Sequence, residues 1–120
     1  MTREEILAME PGRKMDTEVA LRVLGIKEVT VVGKHYFIDP LDTVLPAYSS
    51  KISAVWEVVE KLASSHSIFH LAKKWDEYEA VFVPNGKTEG IPAHSCKSAP
   101  EAICKAALFT ELEGGEPSAS

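Results

Sequence analysis

The residues able to do chemistry in this 120-residue chain are few, and most of them stand apart from one another. His66 and His70 lie four apart, and His94-Ser95-Cys96 places two ligand types two apart. If segments 68–75 and 91–97 were neighbouring strands, His70, His94 and Cys96 would converge with the donor types zinc accepts. The spacings of structural zinc sites are missing, however, and His66 and His70 straddle a change from helical to extended patterning. The sequence therefore favours ordinary sheet and surface histidines, no bound metal and no cofactor. A Cys96–His94 nucleophile lacks an orienting third group. Cys104 sits in an apolar run and reads as a small core residue. The carboxylates (Glu57 with Glu60, Asp76-Glu77 with Glu79) read as a solvated helix face and a turn. No glycine-rich phosphate loop occurs: Gly86 and Gly90 are isolated turn glycines.

One cluster combines chemistries usefully. Lys73, Lys74, Trp75 and Tyr78 surround a turn, and cations beside aromatic faces suit a phosphorylated, base-containing ligand, the lysines pairing the phosphate and the rings stacking on the base. Free N–H groups at helix starts favour anions, which adds Ser49, Ser50 and Ser98 to the candidates. Arg13 lies near the start of another helix. The competing reading is that Trp75 and Tyr78 pack across a hairpin and the lysines are merely solvated.

The elements that must position these residues are legible as periodicities. Thr2 and Glu5 form a capping-box pattern over a short helix to Met9, and Pro11-Gly12 interrupts it. A helix is predicted from about 13 to 24, with Met15, Val19 and Val23 on one stripe and Gly25 as its stop. Residues 26–47 read as a hairpin or ordered loop, in which two β-branched and aromatic runs flank Gly33-Lys34. Ser49 or Ser50 is expected to cap an amphipathic helix over about 51–64, with Ile52, Val55, Trp56, Val59 and Leu62 on its apolar face. The period then changes to two: strands at 68–75 and 78–83 joined by Asp76-Glu77, and a weaker edge strand at 91–97 marked by Pro92. Ser98, Pro100 and Glu101 write out the start of a last helix that is apolar around most of its circumference, so other elements must wrap it. Residues 114–120 read as a disordered tail.

Taken together, Met1–Asp16 with Val19-Ala20 and Val23-Leu24-Gly25, Tyr48–Leu62, and Ala99–Leu108 form three blocks that resemble, in order, the phage ABA-sandwich domain family. The chain differs from that pattern at Ser50-Lys51, where a Thr-Asp-like pair is usual. The resemblance implies an α+β fold in which a small antiparallel β-sheet of three or more strands packs between helices, an α-β-α sandwich over residues 1–113. It brings no reaction and no catalytic residues. A net charge of −5 and a pI near 5.3 argue against a duplex nucleic-acid partner. The apolar runs are too short for a membrane span, and two cysteines without a signal-peptide pattern point to the cytoplasm. The expectation is a non-enzymatic phage-type binding protein. It would sequester a nucleotide-derived host immune signal as a homo-oligomer or, alternatively, inhibit a host protein by direct contact, with a small nucleotide hydrolase as the remaining reading.

Overall fold

A computed structural model of the chain describes residues 2–38 and 43–114, apart from the side chains of residues 67, 113 and 114. Of the tail expected over 114–120, Gly114 instead closes the last helix and the rest lies outside the described residues. The elements run α1 (Arg3–Ala8), α2 (Arg13–Glu18), a π-helical segment (Val19–Val23), β1 (Val29–Val32), β2 (His35–Ile38), β3 (Thr43–Val44), α3 (Ile52–Leu62), β4 (His66–Lys74), β5 (Glu77–Pro84), β6 (Ala93–Cys96) and α4 (Ala99–Gly114). The strands form two antiparallel three-stranded sheets, ordered β1-β2-β3 and β4-β5-β6. This is the α+β sandwich expected from the sequence, and the 26–47 segment turns out to supply a whole second sheet.

α4 is the organising element. Every residue from Pro100 to Thr110 is buried, and the helix packs against β5 and β6 on one side and α3, α1 and the π-helical segment on others. Its small residues Ala102, Ala106 and Ala107 allow that close approach, while Ile103, Leu108 and Phe109 fill the spaces between layers. Ser98 Oγ accepts from the Glu101 N–H at 3.2 Å as the cap predicts, and Glu101 Oε1 turns back to accept from the Lys97 N–H at 2.9 Å. Its other oxygen pairs with Lys105 Nζ at 2.9 Å, and that ammonium also donates to the Leu7 carbonyl at 2.8 Å. Both charges are almost fully buried and both are satisfied, the condition under which an ion pair can exist inside a core.

The helix expected over 13–24 is α-helical only to Glu18. From there the backbone widens, Leu24 N–H reaching Val19 O, so that Val19, Ala20 and Val23 all face the core before Gly25 (φ 72°) ends the segment. α1 carries its predicted capping box, with Glu5 N–H on Thr2 Oγ1 and Thr2 N–H on Glu5 Oε1.

The expected cap at Ser49 or Ser50 is corrected. α3 starts at Ile52, and its N-cap, Lys51, contributes no side-chain hydrogen bond. Ser49 is held elsewhere, by Asp16. A lysine at an N-cap leaves the first N–H groups uncapped and sets a positive charge against the helix dipole. Lys51→Asp is therefore expected to raise the unfolding free energy by about 1 kcal/mol in chemical denaturation.

Candidate functional site

The candidate site is the end of the β4-β5-β6 sheet where the β4–β5 hairpin turns. Lys73 lies opposite Tyr78 and Lys74 opposite Glu77, so the two-residue turn is Trp75-Asp76, one residue earlier than the sequence suggested. The reason is core registry. Phe69, Leu71 and Lys73 share a face with their partners Phe82, Ala80 and Tyr78. Phe69 and Phe82 stack at 4.8 Å, and Trp56 of α3 meets Phe69 edge-on at 6.1 Å. Fixing those pairs leaves Trp75 in the turn rather than in a strand.

Trp75 is thereby 88% exposed and adopts φ 60°. A bulky side chain in the left-handed region is strained by about 1–2 kcal/mol, and glycine would be the ordinary choice there. The cross-strand Trp75–Tyr78 pairing considered from sequence does not form. Tyr78 is instead capped by its true partner, Lys73, whose Nζ lies 5.5 Å from the ring centroid. β6 adds a second irregularity beside the turn: Tyr78 pairs with Cys96 and Ala80 with Ala93, so His94 and Ser95 together oppose one residue of β5. Ser95, at φ 61°, is in the left-handed region as well. Among the described residues these are the two non-glycine positions with positive φ. A shallow pocket of about 250 Å³ lies between turn and bulge, lined by Lys74, Glu77, Tyr78, Glu79, His94 and Ser95. Backbone strain of this kind persists where surrounding structure enforces it, and it concentrates at binding surfaces.

The remaining candidates lie elsewhere and are engaged internally. Ser49 is buried; its N–H and hydroxyl both donate to Asp16 Oδ1, at 2.8 and 2.6 Å, while the Gly12 N–H donates to Ser49 Oγ at 2.9 Å. Arg13 pairs with Asp16 Oδ2 at 3.0 Å and stands 5.7 Å from the Tyr36 ring centroid. Ser50 is exposed in the turn before α3, its N–H on the Ala47 carbonyl. At Ser98 the Glu101 carboxylate already occupies the helix start. Lys73, Lys74, Trp75 and Tyr78 thus share one hairpin end, Lys73 and Tyr78 on one face of the sheet and Lys74 on the other, while Arg13, Ser49, Ser50 and Ser98 hold separate structural roles. Asp16, the buried centre of the Ser49 latch, was not singled out from sequence, since a lone aspartate in a helical stripe carries no signal of burial.

The convergence of His70, His94 and Cys96 fails on topology, because β5 lies between β4 and β6. Cys96 faces the core opposite Tyr78, whereas His70 and His94 are exposed. Among the described residues, no three His, Cys, Asp or Glu side chains gather as a metal site. Burial, and then the Glu101 charge, push the Cys96 thiol up to about 11, and burial raises the Cys104 thiol as well. Neither supplies a thiolate at neutral pH. Both cysteines are expected to resist a disulfide-exchange reagent at pH 7.5 and to react stoichiometrically once denaturant is added. The raised Cys96 value means that its stabilising contribution is intact below the ordinary thiol range near 9 and is lost as pH climbs towards 11.

The fold is an antiparallel α+β sandwich whose irregular end carries exposed aromatic and basic side chains. The chain belongs to the phage ABA sandwich domain family, which matches residues 17–108. A 2.0 Å crystal structure of a phage protein from Bacillus cereus ATCC 14579 is similar to it, with a TM-score of 0.62 and 26% sequence identity, covering 86% of this chain and 93% of that one. None of the curated proteins matches the chain significantly. Among the described residues, no helix is long and apolar enough to cross a membrane.

Proposed function

We propose that this is a non-enzymatic phage binding protein that acts by occupying a host macromolecule, with the β4–β5 turn as its recognition element. The observation that carries this reading is Trp75, exposed and held in a conformation that costs stability. An indole projecting from a rigid hairpin, flanked by Lys73 and Lys74, has the composition of an interface anchor that inserts into a partner's pocket. The acidic rim of Glu77 and Glu79 beside Lys74 suits a mixed-charge protein surface better than a free phosphate. The two buried thiols, kept protonated, argue against a cysteine nucleophile.

A second reading keeps the same residues. Trp75 stacks on a base while Lys73 and Lys74 pair its phosphates, and an oligomer sequesters a nucleotide-derived host immune signal; a second subunit must then supply the other wall of the site. One experiment separates the two: affinity capture from bacterial host lysate, run beside thermal-shift titration with cyclic and ADP-ribose-type nucleotides. A stoichiometric protein retained by the wild type and lost by Trp75→Ala supports the first reading. A nucleotide shift abolished by Trp75→Ala and by Lys73→Ala/Lys74→Ala supports the second. Ligands of either kind that ignore all these variants would refute the site.

A further inference from the structure

The β1-β2-β3 sheet ends on β1, whose outer edge pairs with no strand among the described residues, and its chemistry points to an occupant. β1 is the outer strand, paired to β2 as Val29↔Ile38, Thr30↔Phe37, Val31↔Tyr36 and Val32↔His35 across the two-residue turn Gly33-Lys34. In such a hairpin the pair flanking the turn exchanges its hydrogen bonds, and bonding then alternates. Val32 and Thr30 therefore bond inward to β2, and Val29 and Val31 direct their N–H and C=O groups to the open edge. The β2–β3 side agrees with this phase: the Tyr36 carbonyl is turned away from β1 and accepts from the Leu45 N–H at 2.9 Å.

That edge is entirely β-branched and uncharged, and Val31 and Val32 are about half exposed. Native proteins normally blunt such an edge with a charge, a proline or a bulge, and β1 has none of these. Charges stand only at its ends, Glu28 before the strand and Lys34 in the turn, both exposed and neither in an ion pair among the described residues. Antiparallel pairing of β1 with its own copy about a twofold axis must join outward-facing residues to outward-facing residues. Centring the axis on Val31 does so, and it brings Glu28 of each copy to the end of the seam where the other copy's Gly33-Lys34 turn begins, within reach of the Lys34 side chain. A one-residue slip would set Lys27 against Lys34 and bring inward-bonded groups to the seam. Centring on Thr30 also joins outward-facing residues, Val29 to Val31, but leaves Glu28 and Lys34 apart, so the terminal charges single out the Val31 register.

We propose that β1 is a homodimer edge, pairing antiparallel with β1 of a second copy through Val31, with two Glu28–Lys34 ion pairs across the seam, to make a continuous six-stranded sheet. This inference does not depend on the reading of the Trp75 turn. In the dimer, Val32, Phe37 and Val44 of both copies line one face of the joined sheet.

Sedimentation velocity and native mass spectrometry over about 1–100 µM test it, the range in which interfaces of modest area associate. The wild type is expected to shift from monomer to dimer across that range. Lys34→Glu and Glu28→Lys should each weaken the dimer by about tenfold or more, and the double exchange Glu28→Lys/Lys34→Glu should restore it. Val31→Pro removes only an outward N–H, so it should keep the wild-type circular dichroism spectrum and remain monomeric. A wild type that stays monomeric throughout, or a dimer indifferent to the charge reversals, would overturn the proposal. Should Val31→Pro unfold, the charge-exchange series still decides.

Discussion

Replacing Asp16 with alanine is expected to lower the unfolding free energy by about 3 kcal/mol, the largest stability effect of any polar substitution considered for this chain. Asp16 is 2% exposed and binds the Ser49 N–H, the Ser49 hydroxyl and the Arg13 guanidinium at once. Its loss strands a buried backbone donor, costing about 1–3 kcal/mol when unsatisfied, and leaves the Ser49 hydroxyl only its longer 3.2 Å bond to the Gly12 carbonyl. Arg13 adds less, because it is partly exposed and keeps the Tyr36 ring. The cost falls on architecture: Asp16 and Gly12 fasten the start of α2 to the chain entering α3, and Arg13 reaches the Pro46 carbonyl at 3.4 Å and the β1-β2-β3 sheet through Tyr36. Ser49→Ala should cost less, about 1–2 kcal/mol, since it spares the Ser49 N–H bond. The Asp16→Ala/Ser49→Ala double variant should fall well short of the sum, because both substitutions break the same network. Urea denaturation of the three variants measures all of this directly.

Trp75→Gly should move in the opposite direction, raising stability by about 0.5–1 kcal/mol while removing binding. Relief of left-handed strain contributes about 1–2 kcal/mol, and glycine's extra freedom in the unfolded chain offsets part of it. Few packing contacts are lost from a side chain that is 88% exposed. Trp75→Ala keeps the positive φ without the indole and should leave stability nearly unchanged. An anchor tryptophan contributes about 2 kcal/mol or more to an interface, so either variant should weaken partner binding by about 30-fold or more. A Trp75 variant that gains stability and loses recognition would mark the indole as kept for recognition.

Much of the architecture was legible where one physical signal dominated. The capping boxes at Thr2 and Ser98 and the β-branched runs around Gly33-Lys34 appear as elements of the structure, as does the α3 helix, whose buried face is Val55, Val58, Val59 and Leu62 while Ile52 and Trp56 of the expected stripe stay about half exposed. The misreadings arose where tertiary demands overrode local preference. A regular helix is expected through Leu24, but burying Val19, Ala20 and Val23 together required a π turn. Ser49 has the composition of a cap, yet a buried aspartate 33 residues away claims its hydroxyl. Trp75 has strong strand propensity, and only the pairing of Phe69 with Phe82 places it in a turn. The site was half legible for the same reason. Residues 73–78 cluster because they are adjacent in sequence, whereas the strained bulge at Ser95 and the rim of Glu79 and His94 exist only once β6 is laid beside β5.

The central claim is that the Trp75 turn recognises a partner, and the most direct measurement compares equilibrium binding of the wild type and Trp75→Gly to the protein or nucleotide captured by the wild type. Because the glycine variant is expected to be at least as stable, lost binding cannot be ascribed to unfolding. The account predicts at least about a 30-fold loss of affinity with an unchanged or raised melting temperature. Wild-type affinity in Trp75→Gly, or a variant that unfolds more easily than the wild type, would contradict it.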